Sequence, residues 1–263
     1  AMTPPLAELS AVSVDYDGFR ALEAASFSIH PGEIVGVVGE SGSGKTTALR
    51  ALMGLTPIAS GDIRFDGAPI TRLSSRKRRL IWRDMQMIFQ DPSTSLSPGQ
   101  SLAASIAEPM RAHGAGRIEA RRRAEHLLDL VGLDETMADR RPDALSGGQR
   151  QRVAIARALA LEPRLIVADE PMSALDVSIK AQVAALFSQL RSKLDASFLI
   201  VSHDLALMSE IADRIVVMRA GRIVEQGPAR TVIDAPAEAY TRRLRDACLN
   251  PETVARRRFG DGA

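Results

Sequence analysis

A single cysteine, Cys248, stands among 263 residues. That excludes an internal disulfide and any metal site built from thiolates alone. Neither sign of charge dominates: 34 Lys and Arg stand against 32 Asp and Glu. The pI of about 9.0 therefore rests on a nearly balanced chain, and a basic face wide enough to hold nucleic acid by charge alone is excluded. No run approaches the roughly 20 apolar residues that cross a bilayer. Residues 1–5 lack the basic and apolar regions of a secretory signal, so a soluble, cytoplasmic protein is expected. Internal repeats and low-complexity tracts are also missing. What remains is an ordinary globular composition, 45% hydrophobic and 25% charged, with room for one or two domains and a sizeable core.

Ile34-Val35-Gly36-Val37-Val38 is a short, continuous apolar run between the Pro31-Gly32 turn and a Gly-rich loop, as expected of a strand buried on both faces of a parallel sheet. Similar blocks occur at 165–168, 198–201 and 214–218, separated by helical periodicity at 121–131 and 179–194. Strands alternating with helices imply crossover units and an α/β fold with a parallel sheet. Shorter β-like stretches at 9–14, 25–29 and 62–65 predict a small antiparallel sheet. The division that follows is a core of residues 1–90 and 159–227, an inserted helical subdomain at 91–158, and a C-terminal tail at 228–263. Arg76, Lys77, Arg78 and Arg79 read as a solvated helix face, and Arg256, Arg257 and Arg258 as a basic tail. Trp82, Met85 and Met87 read as packing residues.

Gly39-Glu40-Ser41-Gly42-Ser43-Gly44-Lys45-Thr46 fits G-x-x-x-x-G-K-[ST] between a strand and a helix. Glycines let the backbone turn tightly, so that successive N–H groups converge on phosphates at a helix N-terminus. Lys45 adds a cation for the β and γ phosphates, and the Thr46 hydroxyl suits Mg²⁺. A nucleoside triphosphate is the expected ligand. The strand at 165–168 runs into Asp169 and Glu170. Asp169 suits holding Mg²⁺ through water, and Glu170 suits polarising the attacking water at the γ-phosphate. His203, after the strand at 198–201, suits a γ-phosphate sensor, although a lone His at a strand end is more often structural. Gln90 offers a neutral oxygen to Mg²⁺ or water, or simply closes a strand. Ser146-Gly147-Gly148-Gln149 has the spacing of a capping box. Two glycines in a first turn cost about 1 kcal/mol each against alanine, and bare amides able to approach an anion are the expected reason.

With Leu145–Arg152 as a signature motif, the chain resembles the ABC (ATP-binding cassette) family. The other motifs follow in that family's order. Gln90 resembles the Q-loop glutamine, residues 165–170 resemble Walker B, Ser173-Ala174-Leu175-Asp176 is similar to the D-loop, and His203 to the switch histidine. Tyr16 resembles the aromatic that stacks on adenine. The resemblance implies a P-loop core with an antiparallel β-subdomain and an inserted helical subdomain. The nucleotide-binding set it implies is Tyr16, Gly39, Ser41, Gly42, Ser43, Gly44, Lys45, Thr46 and Thr47. It gives Glu170, His203 and Gln90 to catalysis, and Thr46, Gln90 and Asp169 to Mg²⁺. Ser146, Gly147, Gly148, Gln149 and Asp176 would complete the site of a second subunit across a dimer interface.

Residues 86–92 with Ser95-Leu96-Ser97-Pro98, and Ala239-Tyr240-Thr241-Arg242-Arg243-Leu244, are similar to the peptide and nickel importer branch. Met172, Ser97 and Glu238-Ala239 depart from that branch without removing a catalytic group. The function so implied is ATP hydrolysis energising import of peptides or related small solutes. ATP and Mg²⁺ are the implied cofactors. The implied partners are two membrane permease subunits, a second ATPase subunit and, indirectly, an extracytoplasmic solute-binding protein. The implied location is peripheral, on the cytoplasmic face of the membrane. The competing expectation is a non-transport ABC ATPase serving a soluble enzyme complex. A coiled-coil relative of the DNA-repair type would need a longer insertion than 91–145.

Overall fold

The computed structural model describes residues 4–249; Arg256, Arg257 and Arg258 and the start of the expected signal-free segment lie outside the described residues. Two long antiparallel strands open the fold, β1 (Ala7–Tyr16) and β2 (Phe19–Ile29), joined through Asp17 and Gly18. Next come β3 (Ile34–Val38), α1 (Lys45–Leu52), β4 (Ser60–Phe65), β5 (Ala68–Pro69), α2 (Ser75–Asp84) and β6 (Met85–Ile88). The helices α3 (Leu102–Ala112), α4 (Arg117–Leu130) and α5 (Gly147–Leu159) form the insertion before β7 (Leu165–Asp169). Then follow α6 (Val177–Lys193), β8 (Ser197–Ser202), α7 (Leu205–Ile211), β9 (Arg214–Arg219), β10 (Arg222–Pro228), α8 (Ala229–Asp234) and α9 (Ala239–Leu249).

The strands build a four-stranded sheet, β2-β1-β4-β5, and a six-stranded sheet, β10-β9-β3-β8-β7-β6. The first is antiparallel throughout. The second is parallel from β9 to β6, with β10 antiparallel at its edge. Alternation along the central strands decides what each face meets. Val35, Val37, Val167, Leu199 and Val201 join α1 and the antiparallel sheet in one core. Ile34, Val38, Ile166, Ala168, Phe198 and Ile200 join the helices on the other side. The apolar runs are continuous because both faces are covered.

Several boundaries extend beyond their sequence signals, because pairing recruits flanking polar residues: β1 and β2 continue to Tyr16 and back to Phe19. The seven-residue β10, with its mixed polar pattern, carries no clear strand signal in the sequence. Residues 228–249, set apart as a tail in sequence, are packed on the core: Ala229 and Val232 of α8 and Tyr240 of α9 are buried with the helical-side cluster. Cys248 falls in α9. Arg76, Lys77 and Arg79 of α2 are exposed, as expected.

Candidate functional site

Three adjacent strands carry most of the expected chemistry to one edge. β3, β8 and β7 lie side by side and parallel. The loop after Val38, His203, and the pair Asp169 and Glu170 therefore leave the sheet at its carboxyl end, where open α/β sheets take ligands. Val38 pairs with Ser202 and Val201 with Asp169, which keeps these exits level. On β6, Ile88 pairs with Ala168, so Gln90 leaves the sheet level with Glu170. Gln90 is exposed and makes no side-chain hydrogen bond among the described residues.

Two glycines give the loop its shape through what surrounds them. A Cβ on Gly39 would lie 2.2 Å from the Met218 carbonyl oxygen, and one on Gly44 would lie 2.9 Å from that of Ala21. Ser41 and Gly42 are exposed at the tip, whereas Ser43 is buried and its hydroxyl has no partner among the described residues. No side chain caps α1. The first-turn amides of Lys45, Thr46 and Thr47 have no acceptor within the helix, and such a terminus attracts an anion.

Lys45 is only 4% exposed. Its ammonium donates to the carbonyl oxygens of Gly39 at 2.9 Å and Glu40 at 2.8 Å, leaving a third donor. Burial pushes its pKa down, opposed by the Glu170 and Asp169 carboxylates. Thr46 donates its hydroxyl to Asp169 Oδ1 at 2.9 Å. Burial pushes the Asp169 pKa up, against the Thr46 hydrogen bond. Two hard oxygens thus converge beside Lys45. They suit a small divalent cation whose remaining ligands are phosphate oxygens and water. Among the described residues there is no group of three or more His, Cys, Asp or Glu that could hold a metal.

Glu170 adopts φ +44°, a left-handed conformation that costs a non-glycine residue of order 1 kcal/mol and clusters at functional sites. Its amide donates to the Val201 carbonyl at 3.0 Å. Its Oε2 lies 3.3 Å from His203 Nδ1. The carboxylate side chain is 19% exposed and the imidazole 51%, so Glu170 is the shielded member and His203 the accessible one.

The signature residues sit apart from this edge, at the start of α5 in the inserted helices, and no hydrogen bond or ion pair joins them to the phosphate loop among the described residues. The capping box is present: the Ser146 hydroxyl accepts from the Gln149 amide at 3.3 Å, and Gln149 Oε1 accepts from the Ser146 amide at 3.0 Å. Ser146 and Gly147 are exposed, and the amides of Gly147 and Gly148 stay without an intrahelical acceptor. Asp176 caps α6 by accepting from the Ile179 amide at 3.0 Å.

The two glycines have different reasons. A Cβ on Gly148 would lie 2.6 Å from Ile179 Cγ2, whereas one on Gly147 meets Leu175 Cδ2 at an ordinary 3.6 Å. Close packing of α5 on α6 thus accounts for Gly148, where the sequence suggested only access for an anion. Ile179 is β-branched and stiff. Gly148→Ala is expected to cost about 1–3 kcal/mol in thermal unfolding, and Gly147→Ala to be neutral or to stabilise by up to about 1 kcal/mol. Equal melting temperatures for the two variants would contradict this assignment.

Tyr16 ends β1 at 41% exposure, with its hydroxyl 3.2 Å from Thr56 Oγ1; a ring so exposed is available for stacking. Sequence reasoning missed a set of contacts behind the loop. The Gly221 amide donates to the Ser43 carbonyl at 2.9 Å, and the Glu40 amide donates to the Tyr240 hydroxyl at 3.1 Å. The only signal for them lay in the motif around Tyr240, which carried no hint of its neighbour.

A family model described as ABC transporter matches residues 22–173. The glutathione import ATP-binding protein GsiA of Salmonella typhi is 48% identical over 226 residues, which are 86% of this chain and 36% of that protein. The oligopeptide transport ATP-binding protein OppD of Mycobacterium tuberculosis is 44% identical over 237 residues, 90% of this chain and 39% of that protein. The chain thus spans between a third and two fifths of the length of these relatives. Among solved structures, cbiO1 from Clostridium perfringens, part of the ABC transporter complex cbiONQ, superposes with a TM-score of 0.82 at 26% identity, covering 97% of this chain and 98% of that one. The ATP-binding cassette MJ0796, in a dimeric post-hydrolysis state bound to ADP and Pi, gives a TM-score of 0.77 at 31% identity over 85% of this chain and 99% of that one.

Proposed function

Because the chain belongs to the ABC transporter family, we propose that it hydrolyses ATP to energise import of peptides or related small solutes through partner membrane permeases. The observation that carries the reading is the convergence at one sheet edge of the Lys45 ammonium, the Thr46–Asp169 pair and the Glu170–His203 pair. The solute class rests on the relatives, named for glutathione import and oligopeptide transport; glutathione is itself a small peptide. The dimeric state of MJ0796 supports pairing with a second ATPase subunit, either a copy or a paralogue.

In this reading the loop amides and Lys45 bind the phosphates, and Tyr16 stacks on the base. Thr46 and Asp169, with Gln90 at the flank, would hold Mg²⁺, which would supply charge neutralisation of the phosphate oxygens. Glu170 orients and polarises the water, and His203 fixes the Glu170 carboxylate. Ser146, Gly147, Gly148, Gln149 and Asp176 face the nucleotide of the second subunit. That placement fits their exposed helix termini and their separation from the chain's own loop. No helix among the described residues is long and apolar enough to cross a membrane; in this reading translocation runs through two partner permease subunits. A solute-binding protein would deliver cargo from the far side, while this chain works peripherally on the cytoplasmic face.

Affinity purification of the tagged chain from native membranes, followed by mass spectrometry, tests the reading. Two integral membrane permeases are expected to co-purify, and the assembly is expected to hydrolyse ATP faster when peptide is supplied with its binding protein. Recovery of a soluble enzyme complex without permeases would overturn the transport reading and leave an accessory ATPase.

A further inference from the structure

One peptide unit of the phosphate loop is held from both ends. Its carbonyl, that of Gly39, accepts from the Lys45 ammonium at 2.9 Å. Its N–H, that of Glu40, donates to the Tyr240 hydroxyl at 3.1 Å, across 200 positions of sequence. A peptide is planar, so a bond at the N–H fixes the direction of the carbonyl. The hydroxyl of a residue on α9 therefore sets the oxygen on which the Lys45 ammonium rests.

Tyr240 is itself firmly placed. It is 4% exposed, and the Arg219 guanidinium lies over its ring, 5.1 Å from the centroid, an arrangement that favours a fixed ring plane. Burial pushes the phenol pKa up, so the hydroxyl stays neutral and can accept from the amide at physiological pH. The start of α9 is anchored in turn by Glu225 of β10. Its carboxylate accepts from the Ala237 amide at 2.8 Å and the Glu238 amide at 3.2 Å. The β9–β10 turn holds the far end of the same loop through Gly221 and Ser43.

We propose that Tyr240 is a positioning residue for Lys45, so that the C-terminal helix belongs to the nucleotide site through the Gly39–Glu40 peptide. The inference rests on the nucleotide reading above and adds to it a residue outside the loop. Its action is indirect: its hydroxyl is engaged by the Glu40 amide, and through that peptide it limits how far the Gly39 carbonyl, and with it the ammonium, can swing. A loop that must order itself on binding loses affinity.

The test is a double-mutant cycle on the full chain, read by titration with the fluorescent probe trinitrophenyl-ATP. Tyr240→Phe keeps the ring and its packing under Arg219 and removes only the oxygen, and its melting curve reports whether the fold is kept. In the parent background Tyr240→Phe is expected to weaken binding about fivefold, the size of one net hydrogen bond. In the Lys45→Ala background the same change is expected to weaken it less than about twofold, because the group being positioned is gone. Equal losses in both backgrounds would make Tyr240 a general support of the fold and overturn the proposal, as would an unaffected Tyr240→Phe single variant. A parent chain that fails to bind the probe sinks the nucleotide reading itself. A parent that binds, with an indifferent Phe variant, sinks only this inference.

Discussion

Lys45→Ala is expected to lower the affinity for ATP by about two orders of magnitude or more, the loss typical of removing one partner of a desolvated, hydrogen-bonded charge pair. Its ammonium is buried and held on two loop carbonyls, and it is the cation that the loop itself supplies. The substitution has a second, separable effect. Both loop carbonyls lose their donor, and leaving the buried one, that of Gly39, unpaired costs about 1–3 kcal/mol. Calorimetric titration with MgATP, read beside a thermal melt without nucleotide, separates the two. An affinity within a few-fold of the parent would remove Lys45, and with it the loop, from the proposed site.

A different signature is expected from Glu170→Gln. The amide is nearly isosteric and leaves Thr46 and Asp169 joined, so nucleotide binding should persist. What disappears is the carboxylate proposed to polarise water, and turnover in the assembled complex is expected to fall on the order of 10²-fold or more. With hydrolysis stalled, the ATP-bound form should accumulate as a dimer, bridged by the Ser146–Gly148 helix terminus of the second subunit. Size-exclusion chromatography with light scattering reads that dimer for the chain alone if it pairs with itself, and only in a mixture if it needs a paralogue. Parent-like turnover in Glu170→Gln would show that Glu170 is not the base.

The α/β class, the phosphate loop, the strand ending in Asp169 and Glu170, and the capping box at Ser146 are all legible in the sequence. Each is a local feature. The loop is eight consecutive residues, a buried strand announces itself by an unbroken apolar run, and a capping box links positions three apart. Steric rules and hydrogen-bond reach act over those few residues, so sequence order determines them directly. Strand order does not follow in this way. Nothing in the composition of 198–201 places β8 between β3 and β7, although that placement puts His203 beside Glu170.

The remaining assignments came from the tertiary structure, because they depend on which side chains meet across long stretches of chain. β10 is half-polar, carries Gly227 and Pro228, and is stabilised by pairing with β9 at a sheet edge, so its own periodicity is too weak to mark it. Gly148 looks like a concession to an anion until Ile179 of the neighbouring helix is seen to leave no space for a Cβ. Residues beyond 228 read as a tail because they lie past the strand blocks and most of the motifs. Yet Tyr240 buries its ring in the core and spends its hydroxyl on Glu40. The sequence alone determined the groups that can do chemistry on a triphosphate, since those need only the right residues on one short loop and two strand ends. The tertiary structure decided which groups act on one another, since hydrogen bonds and packing are set by distance in space and not by distance along the chain.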